Sequence, residues 1–142
     1  MPITIERLDN DYHFVARNGT GNEVAMDGSP NIGGHNLGAR PMEMLLMALG
    51  GCSGIDVVSI LRKGRQEVAE FSMEGHGQRE PGAEPSLYQA IHIHYRLVGE
   101  LDAERVRRAI QLSMEKYCSV AKTLEATATI TWSFELNGER YE

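Results

Sequence analysis

The segment Arg40–Gly64, RPMEMLLMALGGCSGIDVVSILRKG, decides how the chain is read. Pro41 suits a first helical turn, where its missing N–H has no partner to lose. Arg62 and Lys63 would lie at the negative end of the helix dipole, so the spacing predicts a helix from Pro41 to near Gly64. It is apolar nearly all round, the mark of a buried helix or a membrane span. Glu43 and Asp56 interrupt it, and Gly50, Gly51 and Gly54 suit close helix contacts, so a buried helix is expected and not a span. One thiol, Cys52, stands at its middle.

Upstream, Ile3–Leu8 and Tyr12–Arg17 alternate as short strands around a turn-like DND. Asn18–Asn22, NGTGN, is a turn, and EVAMD after it reads as a third strand. Gly28–Ala39 reads as a mobile Gly-rich connector without the spacing of a phosphate loop. Downstream, Glu67–Glu80 and Tyr88–Gly99 read as two strands. In the second, Ile91, Ile93, Tyr95 and Leu97 share one face, and Ala90, His92, His94 and Arg96 share the other.

Leu101–Tyr117 is amphipathic, with Asp102 as N-cap and Val106, Ala109, Ile110, Ser113, Met114 and Tyr117 as its inner stripe. CSVAKTLE opens a second short helix at Cys118, and ATATITWSFEL is a last strand. The order predicts one α+β domain over residues 1–142, with a mainly antiparallel sheet.

The 142 residues suffice for a core without disulfide or metal staples. With 42% hydrophobic and 24% charged residues the chain reads as globular. A net charge of −6 argues against nucleic-acid binding. Interleaved Glu104 and Glu115 make Arg105, Arg107, Arg108 and Lys116 a solvated surface, not a basic face. The N-terminus lacks the pattern of a signal peptide, and two cysteines 66 positions apart form neither a disulfide scaffold nor a CxxC motif. A cytoplasmic protein with reduced thiols is expected.

A thiol reacts as thiolate, so its surroundings decide its use. Cys118, opening a helix with Lys116 and Lys122 near it in sequence, reads locally as the more reactive of the two. Cys52, amid paired mid-helix amides and apolar neighbours, reads locally as a core residue.

The block PMEMLLMALGGCSGIDVVSIL, with EKYCSVAKTLE after it, resembles the OsmC/Ohr family of thiol peroxidases, and most closely its OsmC-like branch. The likeness covers nearly the whole chain. It implies an OsmC-like fold in which two chains intertwine as a homodimer around their long central helices. It also implies that Cys52 attacks an organic hydroperoxide and that Cys118 resolves the sulfenic acid to a disulfide, which a dithiol reductant reopens. The apolar walls offered by Met44, Leu45, Met47 and Leu49 favour an organic peroxide over hydrogen peroxide.

Family members activate the first thiol with an N-terminal arginine, held by a glutamate directly after the helix proline. Met42 occupies that position here. Glu43 lies one place on, about 100° around the helix. Arg17 is the first candidate cation and Arg40 the second. No metal or prosthetic group is expected, since sulfur carries the electrons.

Two other readings are open. His76, His92 and His94 could form a metal cluster, although alternation with an apolar face predicts that the strand pair points to water. Alternatively, the replaced acid marks lost peroxidase chemistry. The apolar pocket at the dimer interface, rich in methionine, would then hold a small lipophilic ligand.

Overall fold

The structure is a computed structural model describing residues 2–142. The chain divides into two compact units, Met1–Leu45 and Leu46–Glu142, and α1 (Pro41–Lys63) runs from the first into the second.

The first unit is a three-stranded antiparallel meander: β1 (Thr4–Arg7), β2 (Phe14–Arg17) and β3 (Glu23–Met26). The NGTGN turn closes on Asn18, whose Oδ1 accepts from the N–H groups of Thr20 and Asn22 at 3.1 and 2.9 Å. The Gly-rich connector is tied down, contrary to its reading as mobile. The buried Asp27 carboxylate accepts from the N–H groups of Gly28, His35 and Leu37 at 2.7, 3.1 and 3.1 Å. Burial pushes its carboxyl up, but these three donors outweigh burial and hold it below its ordinary value. Gly34 lets the loop fold on itself, because a Cβ there would fall 1.8 Å from the Gly28 carbonyl oxygen.

The second unit has a four-stranded sheet in the order β4 (Glu70–Arg79), β5 (Tyr88–Val98), β6 (Thr129–Leu136) and β7 (Glu139–Tyr141). All pairs are antiparallel except β5 with β6, where α2 (Ala103–Leu112) and α3 (Ser119–Leu124) lie on the crossover. Ile91, Ile93, Tyr95 and Leu97 are buried on one face of β5, as the alternation predicts. Val106, Ala109, Ile110, Ser113 and Met114 form the buried stripe of the helical stretch, whereas Tyr117 is exposed. Asp102 caps α2, its Oδ2 accepting from Arg105 N–H at 3.3 Å.

Three details depart from the expectation. A π turn, Ser113–Tyr117, replaces the last turns of the long helix. The chain also adds β7, reversing at Asn137–Gly138, where both residues take positive φ (51° and 85°) as a two-residue hairpin turn requires. Thirdly, α1 is buried along one stripe only: Leu49, Ser53, Gly54, Val57 and Leu61. One sheet can cover only one side of a helix, so Leu45, Met47 and Ile55 remain exposed, Ile55 at 73%. The length and composition of α1 would allow it to cross a membrane. Packing of that stripe within the unit makes it a core helix of the domain instead. Gly54 marks its close approach to β4, since a Cβ there would sit 2.8 Å from Met73 Cε.

Candidate active site

Cys52 lies near the middle of α1, half-buried, and Cys118 is fully buried at the N-cap of α3. The two sulfurs and a carboxylate oxygen of Asp56 all lie within 4.8 Å of one another. Asp56 follows Cys52 by one helical turn, which sets both on one face of α1. The π turn lies next to them and ends at Cys118, whose N–H donates to the Ser113 carbonyl at 2.7 Å.

Behind the carboxylate runs a buried line of hydroxyls. Ser113 Oγ lies 3.0 Å from Asp56 Oδ2, Ser53 Oγ lies 2.8 Å from Ser113 Oγ, and Tyr95 Oη lies 2.6 Å from Ser53 Oγ. Burial pushes the Tyr95 phenol far up, so it keeps its proton and donates. Each hydroxyl has one proton, and an ionised carboxylate only accepts. The three contacts form one continuous line from Tyr95 through Ser53 and Ser113 to Asp56. The line ties β5, α1 and the π turn to the carboxylate beside the thiols.

The local reading of the thiols is overturned. Burial pushes the Cys118 thiol up to about 11, and the neighbouring Cys52 adds to the rise. Hydrogen bonds from the N–H groups of Ala121 and Val120 only partly offset this, the former at 3.3 Å. The two lysines give no help, for Lys122 pairs with Glu125 at 3.1 Å and Lys116 lies over the Tyr117 ring. Helix-end geometry was legible, but the burial that outweighs it was not.

Arg17 and Glu43 have local partners in the first unit. The Arg17 guanidinium pairs with Glu23, its cross-strand neighbour, and with Glu6 at 3.6 Å. Glu43 Oε1 accepts from the N–H of Arg40 at 2.8 Å, the reach-back of a helix N-cap. Arg40 Nη1 donates to Asn36 Oδ1 and the Gly38 carbonyl.

The histidines do not point to water as a pair. His94 is buried and His92 half-buried: His92 bonds Thr131 and Ser133 at 2.7 and 2.9 Å, and His94 Nδ1 bonds Ser133 Oγ at 2.7 Å. His76 is exposed and pairs with Glu74 at 2.9 Å. Among the described residues these three histidines do not converge as a metal-ligand group. One other convergent group, Asp9, Asp11 and His35, is largely exposed, and its carboxylates are engaged by the His35 ring and by turn N–H groups. Asp56, Ser53, Ser113 and Tyr95 were not foreseen as site residues. The four-residue interval from Cys52 to Asp56 was the signal available for one of them.

Fold and site together define an α+β domain that presents a half-buried helical thiol to a buried partner thiol. The chain belongs to the OsmC-like protein family, whose pattern matches residues 34–133. It is 44% identical to Protein YhfA of Escherichia coli K12 over 124 residues, 87% of this chain and 89% of that one. A solved structure of a protein from Aquifex aeolicus VF5 superposes with a TM-score of 0.78 at 33% identity, covering 96% of both chains. An organic hydroperoxide resistance protein from Elizabethkingia anophelis superposes with a TM-score of 0.72 at 11% identity, covering 96% of this chain and 97% of that one. The last likeness is one of fold alone.

Proposed function

We propose that this single OsmC-like domain, residues 1–142, is a cytoplasmic thiol peroxidase that reduces organic hydroperoxides in defence against oxidative stress. The observation that carries the reading is a half-buried Cys52 sulfur within 4.8 Å of a buried Cys118 sulfur. The Cys52 thiolate attacks the O–O bond of ROOH. It becomes a sulfenic acid, and the departing alkoxide takes a proton to leave as alcohol. Cys118 then gives up its proton and attacks the Cys52 sulfur, forming the disulfide and releasing water. A dithiol reductant returns both thiols and becomes a disulfide itself.

The trio of Cys52, Cys118 and Asp56 contains no cation, so the activating cation of this reading comes from outside it. Arg17 remains the proposed cation and Glu43 its proposed support. Each would act while keeping or exchanging its present partner. The exposed apolar residues of α1, Leu45, Met47 and Ile55, support a homodimer that buries them.

Intact mass of the reduced protein after one equivalent of cumene hydroperoxide tests the cycle. The expected result is a rapid loss of two hydrogens in the native chain, with Cys118→Ser stopping at the sulfenic acid and Cys52→Ser inert. An unchanged mass over minutes would refute the mechanism for that substrate class.

A second reading rests on a groove of about 550 Å³ along α1, lined by Gly51, Gly54, Ile55, Val58, Phe71 and Met73 among others. In that reading the protein binds a small lipophilic ligand with little peroxidase activity. Ligand affinity would then survive Cys52→Ser.

A further inference from the structure

The chemistry of the trio fits a cation better than it fits an isolated thiolate. Two sulfurs and one carboxylate oxygen converge within 4.8 Å of one another. Among the described residues no arginine or lysine pairs with Asp56, whose carboxylate is held by the Ser113 hydroxyl. In a tetrahedral zinc site, Zn–S of about 2.3 Å and Zn–O of about 2.0–2.2 Å put ligand sulfurs roughly 3.8 Å apart and sulfur and oxygen roughly 3.5 Å apart. From an upper bound of 4.8 Å, the sulfur pair needs to close by about 1.0 Å at most and each sulfur–oxygen pair by about 1.3 Å at most, within the reach of side-chain rotation.

We propose that reduced Cys52 and Cys118, together with Asp56, form a binding site for a soft divalent cation of the zinc class, with three protein ligands and one open position. Cys52 and Asp56 stand one helical turn apart on α1, the spacing that lets two side chains of one helix grip one ion. Cys118 comes from the N-cap of α3 in the same chain. The hydroxyl line from Tyr95 through Ser53 and Ser113 ends on the Asp56 oxygen, supplying the outer support that orients a metal ligand. Thiolate donors select zinc-class ions over magnesium and calcium, which take oxygen. Binding is balanced: the ion replaces one proton on each thiol, both protons leave to solvent, and no electron moves.

The inference stands apart from peroxide turnover, since it needs only the pairing of the reduced thiols. Cobalt(II) added to the reduced, metal-free full chain under anaerobic conditions is the probe. One ion per chain is expected, with a thiolate-to-cobalt charge-transfer band and the intense visible absorption of a tetrahedral centre. Zinc should displace it. Cys52→Ser and Cys118→Ser should each abolish the band, and Asp56→Asn should weaken binding roughly tenfold or more. Circular dichroism of each variant separates a lost ligand from a lost fold. A cobalt spectrum without thiolate bands would place the ion elsewhere, such as Asp9, Asp11 and His35, and overturn the assignment. Affinity unaffected by Asp56→Asn in a folded variant would overturn it too, leaving a bare dithiol. The cumene hydroperoxide experiment on chelator-treated protein is scored separately, so either idea can fail without the other.

Discussion

Replacing Asp56 by Asn should make Cys52 react faster, and the size of the effect follows from the geometry. The carboxylate oxygen lies within 4.8 Å of the Cys52 sulfur. Two like unit charges near this separation repel by about 1 kcal/mol in water and by more in a drier site. Asn keeps the acceptor that Ser113 needs, so the hydroxyl line survives while the charge goes. Removing about 1 kcal/mol of repulsion against the reacting sulfur corresponds to roughly a fivefold rise in alkylation rate.

The assay is iodoacetamide modification followed by intact mass, with chelator present so that no bound ion masks the thiol. Buried Cys118 should stay unmodified over the same interval. High salt should shrink the difference, because the site is only half-buried. An equal rate in the variant would show that the two groups do not feel each other. A slower rate would show that Asp56 helps remove the thiol proton, and either result would refute the electrostatic argument.

Three further outcomes are expected. Ser113→Ala removes the bonds to Ser53 and Asp56 and leaves Ser53 bonded to Tyr95 alone, which should cost about 1–3 kcal/mol in urea unfolding at fixed protein concentration; a loss below about 0.5 kcal/mol would show that the line carries little. Ile55→Glu, on the exposed face of α1, should turn the proposed dimer into a monomer by sedimentation while leaving the fold intact, and an unchanged mass would place the interface elsewhere. Burial holds the His94 imidazole below its ordinary value of 6.5, reinforced by Arg140 and Arg96; the folded state then binds fewer protons than the unfolded one, so this contribution is present above pH 6.5 and is lost as pH falls through the lower value. Acid unfolding in His94→Gln should be correspondingly less steep, and an unaltered profile would exclude His94 as a source.

What could be read from the sequence was local. The N-terminus of α1 at Pro41, the Asp102 cap, the Cys118 cap and the inward face of β5 are all set by neighbours within a turn or two of chain, and each is found where the pattern placed it. The misreadings share a cause, which is covering by distant chain. His92 and His94 alternate as solvent-facing residues should, yet β6 aligns Thr131 and Ser133 beside them and both rings are hydrogen-bonded there, while Arg96 on the same face stays exposed. Cys118 has the helix-end position of a reactive thiol, and burial reverses the outcome. Asp56 read only as an interruption of an apolar helix, because nothing local shows that residues 52 and 118 meet beside it. Asn137–Gly138 is a local turn signal, and it gives β7.

Burial also fixes which disulfide sulfur a reductant can reach, and therefore the kind of reductant that works. In the oxidised protein an incoming thiol meets Cys52, the half-buried sulfur, and expels Cys118. Cys118, pushed up to about 11, is a poor leaving group, so this first exchange is slow and easily reversed as Cys118 attacks back. A monothiol bound to Cys52 must wait for a second molecule, during which the protein disulfide re-forms. A dithiol captures the mixed disulfide from within, and its second sulfur escapes the competition. Dithiothreitol should therefore reduce the Cys52–Cys118 bond far faster than 2-mercaptoethanol at equal thiol concentration, and raising the pH toward 9 should speed both by supplying thiolate. Equal rates for the two reductants would mean that the thiols are more open than their burial implies, and would remove the reason for expecting a dithiol partner.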